Sequence, residues 1–141
     1  MTSALPKNNA ELLDDYIKAV ENPIQEPSKT FRIDFNRYRI GNMTDNIEAL
    51  KQMIRKAILT PRSRYRIYDD TYGCEIWELI GADVTDAFID AEIPRMLREA
   101  IVYDDRVNDA YNFVITRKGD GVYVTFDVDS IYGEFRTEVT I

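Results

Sequence analysis

The C-terminal end of the chain decides the architecture. In "RVNDAYNFVITRKGDGVYVTFDVDSIYGEFRTEVTI", from Arg106 to Ile141, apolar residues return at every second position. Tyr111, Phe113 and Ile115 form one such series, and Val122, Val124, Phe126 and Val128 form another. A period of two puts the members of each series on one face of a strand. Between them, Lys118-Gly119-Asp120-Gly121 supplies the glycines that a tight hairpin needs. Gly133 then divides off a last strand, Glu134 to Ile141. The segment predicts an antiparallel meander.

Upstream the period changes. From Thr44 to Thr60 the apolar positions are Ile47, Leu50, Met53 or Ile54, Ala57 and Ile58, one stripe of a helix. Thr44 or Asp45 is the expected N-cap, with Glu48 as its capping-box partner. Lys56 and Arg55 fall late, as the helix dipole favours, and Pro61 follows the end. A second helix is expected from about Thr85 to Val102. Its buried side reads Val84, Phe88, Ile89, Ile93, Met96, Leu97, Ala100 and Ile101, and Pro94 predicts a kink or a break near Glu92. Between the helices, "RIYDDTYGCEIWELIG" reads as a loop whose Tyr72-Gly73 makes the bend. Cys74, Ile76, Trp77, Leu79 and Ile80 then drop into the core, and Gly81 stops the turn. Ahead of both helices, Phe31, Ile33 and Phe35 alternate with Arg32 and Asp34. Asn36-Arg37 then turns the chain into Tyr38–Ile40, and Gly41-Asn42 ends that strand. Strands flanking two helices without βαβ alternation predict an α+β fold. The expectation is one small domain, with two main helices packed on a mainly antiparallel sheet.

Residues 1–29 read apart from this domain of residues 30–141. Leu12, Leu13, Tyr16, Ile17 and Val20 have helical spacing, and "ENPIQEPSKT" is an extended connector with two prolines. Two readings stand level: an arm that docks elsewhere, or a helix packed on its own domain or frayed.

Charge and composition narrow the chemistry. The 141 residues carry 25 acids against 18 bases, a net charge of −7, which argues against a nucleic-acid surface. "TPRSRYR", Thr60 to Arg66, is the one dense basic run, short enough to be only a local contact. No apolar run is long enough for a membrane span, and the N-terminus does not read as a signal peptide. The chain has no histidine and one cysteine, so Ser-His, Cys-His and imidazole-base mechanisms are excluded. Cys74 reads as a small buried apolar residue, and Gly119-Asp120-Gly121 as a hairpin, not an ion-binding loop. No cofactor or metal is expected. Carboxylates remain. "YDD" occurs at Tyr68-Asp69-Asp70 and at Tyr103-Asp104-Asp105. Adjacent acids point apart and stay ionised, whereas a glycosidase needs two facing acids, one of raised pKa. Turn formation is the better reading for both pairs. Arg106 stands where it can tie carboxylates or helix-end carbonyls in a bidentate way.

The order of these pieces carries a resemblance. A helix closes on Leu59-Thr60 with Arg62 and Arg64 behind it. A loop reaches Tyr72-Gly73, and an apolar turn follows at Trp77-Glu78-Leu79-Ile80-Gly81. A second helix closes at Asp104-Asp105-Arg106 before a strand. From about Thr30 to Ile141 the chain resembles the lysozyme-like baseplate wedge family of contractile phage tails, the sheath initiators. It is most similar to the branch found in prophages of Gram-positive bacteria. The family's Glu-Pro-Arg signature falls on Asp104-Asp105-Arg106, where the arginine matches, the first acid is shortened and the proline is replaced.

The resemblance implies a structural virion protein of the tail baseplate, assembled in the host cytoplasm, with no enzyme activity. Its implied partners are other wedge proteins, the tail sheath, and tube or hub proteins, in multiple copies around a six-fold assembly, with no nucleic acid and no membrane. It implies sheath initiation by strand augmentation. The candidate edge is Glu134, Phe135, Arg136, Thr137, Glu138, Val139, Thr140 and Ile141, with Asp104 and Arg106 as further assembly residues. Arg62, Tyr72, Gly73, Trp77 and Gly81 are the structural family motif. Two other readings remain from the residues alone: a small peptidoglycan hydrolase using paired carboxylates, and an adaptor using its acidic surface.

Overall fold

A computed structural model describes residues 8–21 and 28–141. Their order is α1 (Asn9–Glu21), β1 (Thr30–Asp34), β2 (Arg39–Thr44), α2 (Asn46–Leu59), α3 (Ile76–Leu79), α4 (Asp86–Val102), β3 (Val107–Lys118), β4 (Gly121–Ser130) and β5 (Gly133–Thr140). β1 and β2 form a hairpin, and β3-β4-β5 form an antiparallel three-stranded sheet in sequence order. The fold is α+β. The core lies between the helices and the inner face of the meander. Leu50, Ile54 and Ile58 of α2, Ile93, Leu97 and Ile101 of α4, and Val124, Phe126 and Val128 of β4 are essentially inaccessible to solvent. Phe113 stacks on Phe126 with ring centroids 5.2 Å apart. No described helix is long and apolar enough to cross a membrane.

The predicted Lys118–Gly121 turn is present, with Lys118 paired to Gly121 and Gly119 at φ 59°. The alternation before it differs from the expectation. A bulge between Tyr111 and Val114, with Asn112 at φ 56°, inserts a residue and resets the faces. Ala110 and Phe113 turn inward, while Tyr111 pairs with Asp127 on the outer face and its hydroxyl donates to Glu134 Oε1 at 2.6 Å.

The first hairpin also departs from expectation. Phe35–Tyr38 make the turn, with Tyr38 at φ 52°, and β2 runs on through Gly41-Asn42 to Thr44. Gln52 of α2 explains why this small hairpin stays in place. Its carboxamide accepts from Ile33 N and donates to Phe31 O, both at 2.8 Å, so a side chain takes the place of a neighbouring strand on β1. Arg55 adds a cation–π contact, 4.2 Å from the Phe35 ring centroid.

α2 is capped by Asp45, which accepts from Asn46 N at 2.7 Å, while Glu48 pairs with Lys51 and closes no capping box. α4 is capped by Thr85 and passes through Pro94 without a break. Pro94 removes a single amide donor, and the buried Ile93, Met96 and Leu97 hold the helix on either side of it. The apolar side of α4 begins later than its pattern predicts. Val84 and Phe88 are exposed, and the first turn is tethered by ion pairs from Arg117 of β3 to Asp86 and Asp90. In α1, Leu12, Leu13, Tyr16 and Ile17 are all exposed. The Pro-containing connector falls outside the described residues.

Candidate assembly surface

The residues expected to carry the family motif build a closed loop after α2. Cys74 N donates to Thr60 O at 2.8 Å and Arg62 N donates to Cys74 O at 3.2 Å, a one-step parallel bridge. Gly73 sits inside it at φ 102°, where backbone from Thr60 and Arg62 leaves no room for a side chain. Arg62 Nη1 donates to Glu75 Oε1 at 2.9 Å and Nη2 to Gly73 O at 3.3 Å, while its buried Nε has no partner. Trp77 is half-buried, and its Nε1 donates to Ile58 O at 2.7 Å. Gly81, at φ 84°, follows the Ile80 C-cap of α3. Ile80 is exposed, contrary to the expected core position, because α3 is a single turn and only Ile76 of it is fully buried. Cys74 is buried as expected, and burial pushes its thiol up to about 11. Tyr72 is half-buried against Tyr68, and burial raises its hydroxyl's pKa. The Thr60–Cys74 bridge and the Trp77 indole together tie this loop to the end of α2.

Asp104 and Arg106 form a clip. Arg106 Nε and Nη2 donate to Asp104 Oδ1 and Oδ2 at 2.9 and 3.0 Å, and Arg106 N donates to Oδ1 at 3.0 Å. Arg106 O accepts from Ile131 N at 3.0 Å, so the clip joins the end of α4 to the turn that starts β5. The aspartate is long enough for the bidentate pair because both residues sit on one turn. Burial alone would raise the Asp104 pKa, and the Arg106 hydrogen bonds and charge outweigh it and hold the carboxyl below its ordinary 3.8. A depressed pKa stabilises the fold above the unfolded-state value, and that stability is lost as pH falls through the folded value. Asp104→Asn is expected to cost about 2 kcal/mol at neutral pH in chemical denaturation. The difference from the parent should shrink below pH 3.8, where the unfolded carboxyl is already protonated.

β5 is an outer strand of its sheet. Ile141 and Val122 exchange two backbone bonds, and the pairing from Gly133 to Thr140 has no register shift. Alternation therefore points Phe135, Thr137 and Val139 to the inner face. The peptide groups of Glu134, Arg136, Glu138 and Thr140 turn away from β4, and no strand pairs with them among the described residues. The outer face around them is acidic, with Asp109, Asp127, Asp129, Glu134 and Glu138 against Arg98 and Arg136. Lys51 of α2 lies 5.4 Å from the Phe135 ring on the other face.

One acid of each YDD pair, Asp69 and Asp104, is tied into its own turn. Asp69 Oδ1 accepts from the Thr71 hydroxyl, Thr71 N and Tyr72 N, and these bonds hold it below its ordinary pKa. The displaced carboxyls, Asp45, Asp69, Asp104 and Asp109, all move downward, opposite to a general acid. An open depression of about 460 Å³ is walled by Arg62, Asp70, Thr71, Arg98, Glu99, Val102 and Tyr103. Its Glu99 is bound to Arg95 at 3.1 Å and its Arg98 to Asp109 at 2.8 Å.

Two features escaped the sequence reading. Gln52 as a strand substitute leaves no pattern, since it reads as one more wet-face residue. The contacts among Tyr65, Tyr68, Tyr72 and Tyr103 had a faint signal in the tyrosine spacing of the loop.

Comparison with known proteins agrees with the resemblance. The family described as contractile injection system sheath initiator matches residues 29–133. The chain is 37% identical over 124 residues to "Phage-like element PBSX protein XkdS" of Bacillus subtilis (strain 168), covering 86% of this chain and 88% of that one.

Proposed function

This chain belongs to the contractile injection system sheath initiator family, and we propose that it starts the sheath by offering the β5 edge to a partner's strand. It is a structural component of a phage-type tail. The open row of peptide groups at Glu134, Arg136, Glu138 and Thr140 carries the reading. A partner strand there gains main-chain hydrogen bonds, and the acidic outer face sets its specificity. Residues 30–141 are the wedge domain, and residues 1–29 are an arm reaching a second baseplate protein. The Asp104–Arg106 clip holds the turn from which β5 departs, so it serves the edge from behind. The chain sits in several copies around a six-fold baseplate, beside the tube, and links wedge proteins. It assembles in the host cytoplasm and ends in the virion tail. It performs no hydrolysis; the downward displacement of Asp69 and Asp104 supports this.

The test is Arg136→Pro. Proline at this position removes an outward N–H and leaves pairing to β4 intact, as edge strands tolerate. Sheath assembly on tails complemented with this variant should fall about tenfold or more, with the chain still folded. Arg136→Ala, which loses only the 3.3 Å ion pair to Asp127, should assemble normally. Full sheaths with folded Arg136→Pro would sink the reading.

A further inference from the structure

We propose that α1 of one copy docks on the β1–β2 hairpin of a neighbouring copy of this chain, so that each copy gives an arm and receives one. This rests on the reading that several copies surround one baseplate, and it names the neighbour that the arm reaches. The hairpin presents an apolar face without a cover. Phe31 pairs with Met43 and Ile33 with Ile40, and direct partners in an antiparallel pair point to the same side. Phe31 and Ile33 lie two residues apart on β1, so all four side chains share one face. On that face Phe31 is 60% exposed, Ile40 74% and Met43 43%. A two-stranded sheet is marginal until a helix covers it, and the Gln52 carboxamide ties only the edge of β1.

α1 has the complementary character. It starts on a reciprocal capping box: Asn8 Oδ1 accepts from Glu11 N at 2.8 Å, and Glu11 Oε2 accepts from Asn8 N at 3.2 Å. Its 13 residues are still too few for a stable lone helix, so its apolar stripe must be buried for the helix to persist. That stripe, Leu12, Leu13, Tyr16 and Ile17, is exposed in the single chain. Charge selects the hairpin as its seat. The α1 segment carries four acids and one lysine, whereas residues 28–56, the hairpin with α2 behind it, carry seven Lys and Arg and three acids. Those three acids are engaged: Asp34 accepts from Asn36 N and Arg37 N, Asp45 caps α2, and Glu48 pairs with Lys51. Arg32 and Arg39 are exposed and pair with no acid among the described residues. The rest of a chain of net charge −7 is then strongly acidic and repels an acidic helix. The connector favours a neighbour over the arm's own hairpin. Its eight residues, 22–29, include Pro23 and Pro27, which favour extended chain over a return onto β1. At about 3.1 Å per residue they span roughly 25 Å, a reach suited to an adjacent subunit. A head-to-tail contact of this kind closes into a ring when its rotation closes.

The experiment puts the photo-crosslinking residue p-benzoylphenylalanine at position 13 of the full chain and irradiates assembled tails. The expected product runs at twice the mass of the chain and maps by mass spectrometry to residues 30–44 of a second copy. Its yield should fall about tenfold in Arg32→Glu/Arg39→Glu, as reversal of a complementary charge requires. The isolated variant is checked by circular dichroism, and Arg32→Gln/Arg39→Gln replaces it if it does not fold. A product within one chain would put α1 on its own hairpin and overturn the proposal. A product on another tail protein, a product elsewhere on a second copy, or a yield unchanged by the arginine variants would overturn it as well. Copies of the chain per tail, counted by quantitative mass spectrometry in the same particles, separate the two readings. Tails with several copies and no product reject the arm contact alone, and tails with a single copy reject both. The β5 edge is read independently, by sheath length in Arg136→Pro.

Discussion

Gly73→Ala is expected to destabilise the fold by about 3–5 kcal/mol, among the largest effects of any single change in this chain. Its backbone, at φ 102°, lies where side-chain-bearing residues are rarely found. Such strain alone costs about 1–3 kcal/mol. The added Cβ would then lie 2.7 Å from Thr60 O and 2.9 Å from Arg62 Cα and N. All three are backbone atoms, so no rotamer change relieves the overlap. The loop must open, and opening breaks the bonds from Cys74 N to Thr60 O at 2.8 Å and from Arg62 N to Cys74 O at 3.2 Å. Arg62 then loses Gly73 O as well, while its Nε is already buried without a partner. Gly81→Ala is the internal control. Its φ of 84° carries similar strain, but nothing lies within 4 Å of the new Cβ. It should cost only about 1–2 kcal/mol. Urea denaturation of the pair separates overlap from strain, and equal losses would show that the packing around Gly73 is not as tight as described.

The sequence is most legible where local chemistry and tertiary packing agree. Lys118-Gly119-Asp120-Gly121 names its own turn, and the α2 stripe of Leu50, Ile54, Ala57 and Ile58 lies buried where the period puts it. Legibility fails where one residue changes the register. Asn112 in a left-handed conformation moves Tyr111 to the face opposite Phe113, and no periodicity argument sees a bulge in advance. It fails again at Phe88, whose helical position is apolar but whose turn is held by Arg117 ion pairs and not by the core. Pro94 misleads in the other direction, because buried neighbours outweigh one missing hydrogen bond. The site follows the same division. That β5 is an outer strand follows from a meander with its last strand at one side. Which of its peptide groups face outward follows only from the observed pairing of Ile141 with Val122. The tyrosine ladder depends on the turn fixed by Asp69, a three-dimensional fact with little trace in the spacing.

Trp77→Ala is expected to cost about 3 kcal/mol, toward the low end for losing a large aromatic, because the ring is only half-buried. Two separable terms make up this loss. α2 ends at Leu59, so the carbonyls of its last turn lack helical partners. Lys56 O is taken by the Thr60 hydroxyl at 2.7 Å, and Ile58 O by Trp77 Nε1 at 2.7 Å. The indole therefore caps the helix as well as packing against the core. Trp77→Phe keeps most of the packing and removes the donor, leaving an acceptor on the fully buried Ile58 without its bond. It should cost about 1–2 kcal/mol, and the remaining step from Phe to Ala should report the packing. Chemical denaturation of the three proteins reads both terms. If Trp77→Ala folded as stably as the parent but failed to assemble sheath, the tryptophan would be a contact residue. The turn from Cys74 to Gly81 would then have to be read as interface and not as the scaffold that closes the end of α2.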